Sequence, residues 1–163
     1  MNPFRALLRA LQGAGVRFIV VGGVAAVLHG SSRLTQDVDV VYDRSEDNLK
    51  RLAKALARHR PYLRGAPQGL PFLWEAKTIR AGLNFTLTTA LGDIDLLGEI
   101  TGGGGYGDLL RRTVPVRAFG MRLLCLDLPT LIRVKRAAGR PKDLDALAEL
   151  EAIAEERERR EEE

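Results

Sequence analysis

The residues with the clearest chemical potential are the acids of Asp37-Val38-Asp39-Val40. On an extended strand, side chains two apart share a face. Asp37 and Asp39 therefore project together, about 7 Å apart, while Val38 and Val40 turn to a core. Two carboxylates on one face repel, most severely where water is scarce. A divalent cation between them removes that cost, and magnesium is held by one or two carboxylates plus substrate phosphates.

A second alternation, Asp93-Ile94-Asp95-Leu96-Leu97, supplies a third carboxylate if its strand lies beside the first. Asp95 has apolar neighbours on both sides, as Asp39 does, and is the preferred member. Asp93 sits nearer a turn and reads as a solvated residue at the strand's start. Three carboxylates can hold two metals about 4 Å apart, one activating the attacking oxygen and one steadying the leaving group. The chemistry is an in-line displacement governed by positioning and charge neutralisation. Alone, an Asp-x-Asp pair is common surface decoration; the segment before it decides.

That segment is Arg17-Phe18-Ile19-Val20-Val21, an apolar and largely β-branched run read as a buried strand. Gly22-Gly23 follows at once, then the helix-like residues 24–29. A glycine turn between strand and helix turns backbone N–H groups toward phosphate oxygens. Arg33 and Thr35 lie on the approach to the acids. Further elements are a helix at 4–12, a strand over 37–42, and a helix from 45 to 59 capped by Ser45 and ended by Pro61. Residues 62–76 read as a loop with room for one strand turn. Strands are expected at 79–88 and 91–97, and a hairpin at 114–117 and 121–126 turning at Phe119-Gly120. Asp127-Leu128-Pro129 opens a helix that stops near Gly139, and Pro141 opens a last helix to about Arg159. The fold class is α/β (α+β): a mixed sheet flanked by helices, one domain over 1–155 and a charged, frayed tail over 156–163.

The net charge is +4, and its distribution is uneven. Lys50, Arg51, Lys54, Arg58, Arg60 and Arg64 lie in an acid-free stretch, and the acids collect in the tail from Glu155. Such segregation suits a polyanion such as RNA, and equally a solvated arginine-rich surface. Arginines interrupt the region after Met1, so neither a signal peptide nor a membrane span is expected, and a cytoplasmic protein is. The one cysteine, Cys125, sits in an apolar run as a core thiol. Two histidines, His29 and His59, cannot build a His-based zinc site; His29 suits a helix C-terminal cap. The run Gly102 to Gly107 lacks the lysine and Ser/Thr of a phosphate loop and reads as a mobile connection. Tyr62 and Trp74 are better explained by packing than by stacking on bases.

The stretch Val21-Gly22-Gly23-Val24-Ala25, His29-Gly30 and Arg33-Leu34-Thr35-Gln36-Asp37-Val38-Asp39 closely resembles the nucleotidyltransferase superfamily with a DNA-polymerase-β-like core. Within it the chain looks like the small AbiEii-type branch, in which Gly-Gly precedes Arg-x-Thr-x-Asp-apolar-Asp. The resemblance extends to Asp95 and to Lys135 with Arg140-Pro141-Lys142-Asp143, so it spans about residues 18–145. It implies that Gly22 and Gly23 cradle a triphosphate, with Arg33 beside them. It implies that Asp37, Asp39 and Asp95 bind Mg²⁺, or Mn²⁺ in its place, and that Asp95 helps deprotonate an acceptor hydroxyl. Lys135 and Lys142 would neutralise phosphates, and Asp143 would orient them or the nucleotide; Asp143 also suits the first turn of a helix. The wider superfamily commonly has Gly-Ser at the turn, so Gly23 leaves only backbone donors there.

The function expected is metal-dependent transfer of a nucleotidyl group from an NTP such as ATP to an acceptor, with tRNA suggested by the basic helix after Ser45, or a protein. Resemblance adds a toxin role with a cognate antitoxin. The competing expectation is a nucleotide- or RNA-binding module that has kept the fold and lost turnover.

Overall fold

The computed structural model describes residues 3–163, and the readings made from Met1 and Asn2 lie outside them. The chain runs α1 (Pro3–Gly13), β1 (Phe18–Val21), α2 (Gly22–Leu28), β2 (Val38–Tyr42), α3 (Glu46–Ala57), β3 (Tyr62–Leu63), α4 (Ala76–Ala81), β4 (Phe85–Thr89) and β5 (Gly92–Leu97). It continues through β6 (Glu99–Ile100), β7 (Gly104–Gly105), α5 (Tyr106–Leu109), a 3₁₀ turn at Leu110–Arg112, β8 (Thr113–Ala118), β9 (Met121–Leu126), α6 (Leu128–Ala138) and α7 (Pro141–Glu162).

Seven strands form one mixed sheet in the order β3-β4-β5-β2-β1-β9-β8. The central strands pair β1 antiparallel to β2, while β2 runs parallel to β5 and β1 parallel to β9. The expected fold class is the one observed. The four residues of β1 are all buried, as an apolar run in the middle of a sheet must be. In β2, Val38, Val40 and Tyr42 are buried on one face, and Asp39 leaves by the other. Leu7, Leu8 and Leu11 of α1 and Leu49, Leu52 and Leu56 of α3 are fully buried in the same core. Each such side chain contributes roughly 1.5–3 kcal/mol of burial free energy.

Helix α6 shows why local sequence was legible. The Asp127 side chain accepts a hydrogen bond from Thr130 N at 2.8 Å, Pro129 occupies the first turn, and Gly139 closes the helix in the left-handed region at φ 63°. Four expectations are corrected. Residues 79–81 belong to α4 rather than a strand: Ile79 is a single buried anchor on a short helix, not one of an alternating series. The glycine run is ordered, with Gly104–Gly105 paired antiparallel to β6 and helix α5 starting at Tyr106. Helix α3 stops at Ala57, before Pro61, where Arg60 takes φ 53°. Helix α7 runs on to Glu162, with Glu156 paired to Arg159 and Arg160. Among the described residues no helix is long and apolar enough to cross a membrane.

Candidate active site

Strand register builds the site. Val21, the last residue of β1, pairs with Asp39, and Asp39 pairs with Asp95 on the parallel neighbour β5. Partners in adjacent strands share a face about 4.8 Å apart, so the two carboxylates meet beside the point where β1 gives way to Gly22. Asp37 precedes β2 on the same side. These residues open into a cavity of about 710 Å³, within the range of ligand pockets. Gly22, Gly23, Arg33, Asp37, Asp39, Asp95, Lys135, Lys142 and Asp143 all line it, so the residues expected to bind metal and nucleotide reach one space.

The glycine pair is dictated by contact as well as by backbone. Gly22 takes φ 65°, and a Cβ there would run into the Asp39 carboxylate. A Cβ on Gly23 would run into the hydroxyl of Thr35. A serine at position 23 is therefore excluded while Thr35 holds its place, and the threonine hydroxyl stands in the region a serine would fill. The segment carrying Arg33 and Thr35 is tied to α7: Ser32 N and Oγ donate to Glu149 Oε2 at 3.1 and 2.9 Å, and Ser31 Oγ donates to Glu149 Oε1. Arg33 Nη1 reaches the carbonyl of Asp145 at 3.4 Å.

On the opposite wall, Asp143 is 1% exposed and sits between two cations. Arg140 Nε donates to its Oδ2 at 2.7 Å, and Lys135 Nζ lies 3.5 Å from its Oδ1. Burial pushes the Asp143 carboxyl upward, but these hydrogen bonds and charges outweigh it and hold it below the usual range. The same carboxylate accepts from Arg140 N at 3.3 Å, so the helix-terminus role expected of Asp143 and its role beside Lys135 coexist.

Asp39 is the strained group. Burial, then the neighbouring charges of Asp95 and Asp37, push its carboxyl up to about 7, with Lys135 opposing. Its Oδ1 is buried without a hydrogen-bond partner. An orphaned carboxylate oxygen facing a second carboxylate is a donor set of the all-oxygen kind that Mg²⁺ prefers. Among the described residues no three acids already converge as a finished cation cage. Asp39 and Asp95 fit the ion as a pair, and Asp37, Asp93 and Asp95 are all engaged by one residue that its sequence context does not single out.

That residue is Arg64, just after β3. Its guanidinium lies 3.4 Å from Asp37 Oδ2, 3.3 Å from Asp93 Oδ2 and 3.0 Å from Asp95 Oδ1. Asp93 is thus ion-paired rather than merely solvated. The only signal for Arg64 would have been its register, since its backbone N bonds Thr86 O on β4, two strands from Asp39. Glu99 and Asn84 also line the cavity and were not anticipated. His29 caps α2 and is buried, with Nε2 at 2.7 Å from Leu126 O and Nδ1 at 3.1 Å from Arg157. No residue of the basic helix α3 lines the cavity. Tyr62, Phe72, Trp74 and Phe85 pack successively edge-on or tilted, the packing role expected of Tyr62 and Trp74.

Two solved structures share this architecture. The lincosamide antibiotic adenylyltransferase LnuA, solved with lincomycin bound, superposes with a TM-score of 0.61 at 14% identity over 93% of this chain and 96% of its own. A candidate nucleotidyltransferase of Thermotoga maritima gives 0.56 at 16% identity over 89% of this chain and 88% of its own. No protein-family profile and no curated protein matches by sequence. The chain shares the fold of these two structures.

Proposed function

We propose that this protein transfers a nucleotidyl group from a nucleoside triphosphate, ATP being the first to test, to an acceptor hydroxyl. The observation that carries the reading is the register Val21–Asp39–Asp95, which sets two carboxylates against each other beside the glycine pair in one cavity. The fold shared with LnuA, an adenylyltransferase by name, supports it. Asp39, with Asp95 and Asp37 once they are released from Arg64, would hold Mg²⁺ or Mn²⁺. Bound there, the ion neutralises phosphate charge and orients the reacting oxygens.

The chain's own residues have separate tasks in this reading. Backbone N–H groups at Gly22 and Gly23 receive triphosphate oxygens, and the absence of side chains lets phosphate approach the Asp39 carboxylate. Lys135, held on α6 by Asp143, and Lys142 and Arg33 offset the negative charge of the leaving pyrophosphate. Asp95 accepts the acceptor's hydroxyl proton. The acceptor oxygen then bonds to the α-phosphorus as the bond to the β-phosphate's bridging oxygen breaks, and pyrophosphate departs.

The acceptor is a separate matter. Helix α3, whose charge suggested tRNA, does not line the cavity, so its charge carries no argument for an RNA acceptor there. LnuA was solved with a small molecule bound, so low-molecular-weight hydroxyl compounds join tRNA and protein as acceptors to test. The test incubates labelled NTPs and Mg²⁺ with each acceptor pool, using wild type and Asp39→Ala. Labelling by wild type alone is expected, and equal labelling by both proteins sinks the mechanism. Metal-dependent NTP binding without transfer to any pool would identify a binding module instead.

A further inference from the structure

We infer that Arg64 is the carboxylate cluster's resident cation, a positioning residue that holds Asp37, Asp93 and Asp95 together in the metal-free protein and opposes binding of a divalent ion until it yields. This rests on the proposed metal-dependent reading of the same site. Register places Asp37 and Asp39 beside Asp93 and Asp95, so four carboxylates crowd one patch of two neighbouring strands. Among the described residues Arg64 is the one cation in an ion pair with any of them.

Its placement is that of a wedge and not of a loose surface partner. The backbone N of Arg64 donates to Thr86 O at 3.0 Å, and Nη2 donates to Leu87 O at 2.8 Å. The chain is thereby pinned to β4 while the guanidinium reaches past it. The planar fork then addresses three carboxylates with three different nitrogens, at 3.4 Å from Nη1, 3.3 Å from Nε and 3.0 Å from Nη2. A lysine ammonium is a single point charge and cannot span them in that way. The engagement rests more on charge than on ideal hydrogen bonding: Nη1 donates to Asp37 at 3.4 Å, but Nε beside Asp93 Oδ2 and Asp95 Oδ1 beside Nη2 are close as ions without an aligned hydrogen bond. Contacts of that kind are made by electrostatics and are readily exchanged for a stronger cation.

The anchor can also give way. Arg64 follows β3, a two-residue strand at the edge of the sheet. Its guanidinium and a metal ion would compete for Asp37 Oδ2 and Asp95 Oδ1, while Asp39, which Arg64 does not touch, stays available throughout. The arrangement keeps the carboxylates assembled and makes a bare divalent ion bind weakly. A nucleotide arriving with its metal brings further ligands and shifts the balance.

The test measures Mn²⁺ binding to nucleotide-free, chelator-treated protein by calorimetry, with thermal unfolding of the same samples. Arg64→Gln removes the competing charge and should bind Mn²⁺ roughly tenfold more tightly than wild type, while its metal-free unfolding midpoint falls. Arg64→Lys keeps the charge without the fork and should bind Mn²⁺ with intermediate affinity; it carries the test if the first variant does not fold. A purely structural arginine would leave Mn²⁺ affinity unchanged or lower it on substitution. Equal or weaker Mn²⁺ binding by both variants, with wild type binding, overturns the inference alone. Absence of Mn²⁺ binding by all three proteins overturns it together with the metal-dependent reading of the site.

Discussion

Replacing Asp39 with asparagine should stabilise the metal-free protein near pH 8 while abolishing transfer. The structure holds this carboxyl at about 7 against an ordinary 3.8, by burial and by the charges of Asp95 and Asp37. The folded state therefore binds the proton more tightly than the unfolded chain. Stability is lost as pH climbs from about 4 to about 7, and the whole penalty is in place above that. At 1.36 kcal/mol for each unit, the ceiling is roughly 4 kcal/mol. Asparagine removes the charge and offers an amide hydrogen toward Asp95, but it loses the freedom of the carboxyl to protonate, so about half of the ceiling, ~2 kcal/mol, is the expected gain. For a domain of this length that is a rise of roughly 4–8 °C in midpoint. The assay is thermal unfolding with a chelator at pH 5, 6, 7 and 8. The variant's advantage should be small at pH 5 and largest at pH 8. Mg²⁺ should raise the wild-type midpoint by mass action and move the variant's far less. A variant no more stable than wild type at pH 8, or an advantage that does not change with pH, would refute the electrostatic account of Asp39.

Three further outcomes are expected. Gly22→Ala forces a side chain into φ 65° and against Asp39; urea titration should show a loss of roughly 1–3 kcal/mol, and transfer should disappear. Cys125 is fully buried and its thiol is pushed up to about 12 by burial, so a thiol reagent should leave native protein untouched at pH 8 and react once denaturant is added; prompt native-state labelling would contradict the packing described. Arg157 donates to the His29 carbonyl at 2.9 Å and sits 3.1 Å from Nδ1. His29 is held below its ordinary pKa by burial first, with Arg157 adding to it; Arg157→Gln should move the imidazole titration upward by NMR and cost about 1 kcal/mol.

What the sequence made legible was local. Alternation marked β2 and β5, and the Asp127, Pro129 and Gly139 punctuation marked α6 at both ends. The approach of Asp39 to Asp95 needed only the guess that their strands are neighbours, which the parallel pairing bears out. Helix α4 escaped because Thr78-Ile79 has strand-like residue types, while its helical state is decided by one buried contact, at Ile79. Arg64 escaped for a different reason. Its partners are 27 to 31 positions away along the chain, and nothing in the basic stretch around it distinguishes the one arginine that turns inward. Thr35 belongs to the recognisable Arg-x-Thr-x-Asp stretch, but its crowding of Gly23 is a fact of three dimensions.

The parallel pairing of β1 with β9 has a consequence for biosynthesis. Val20 finds its partner in Cys125, more than a hundred residues later, and the cavity's far wall is supplied by α6 and α7, later still. During translation the glycine pair and Asp39 emerge before β9, α6 and α7, with one edge of β1 bare and neither Lys135 nor Lys142 yet opposite them. Loop closure over that span is slow relative to local structure. Until those helices are made the nascent chain carries its acids without Lys135 and Lys142, so under the proposed function the site would be complete only once the two helices have docked.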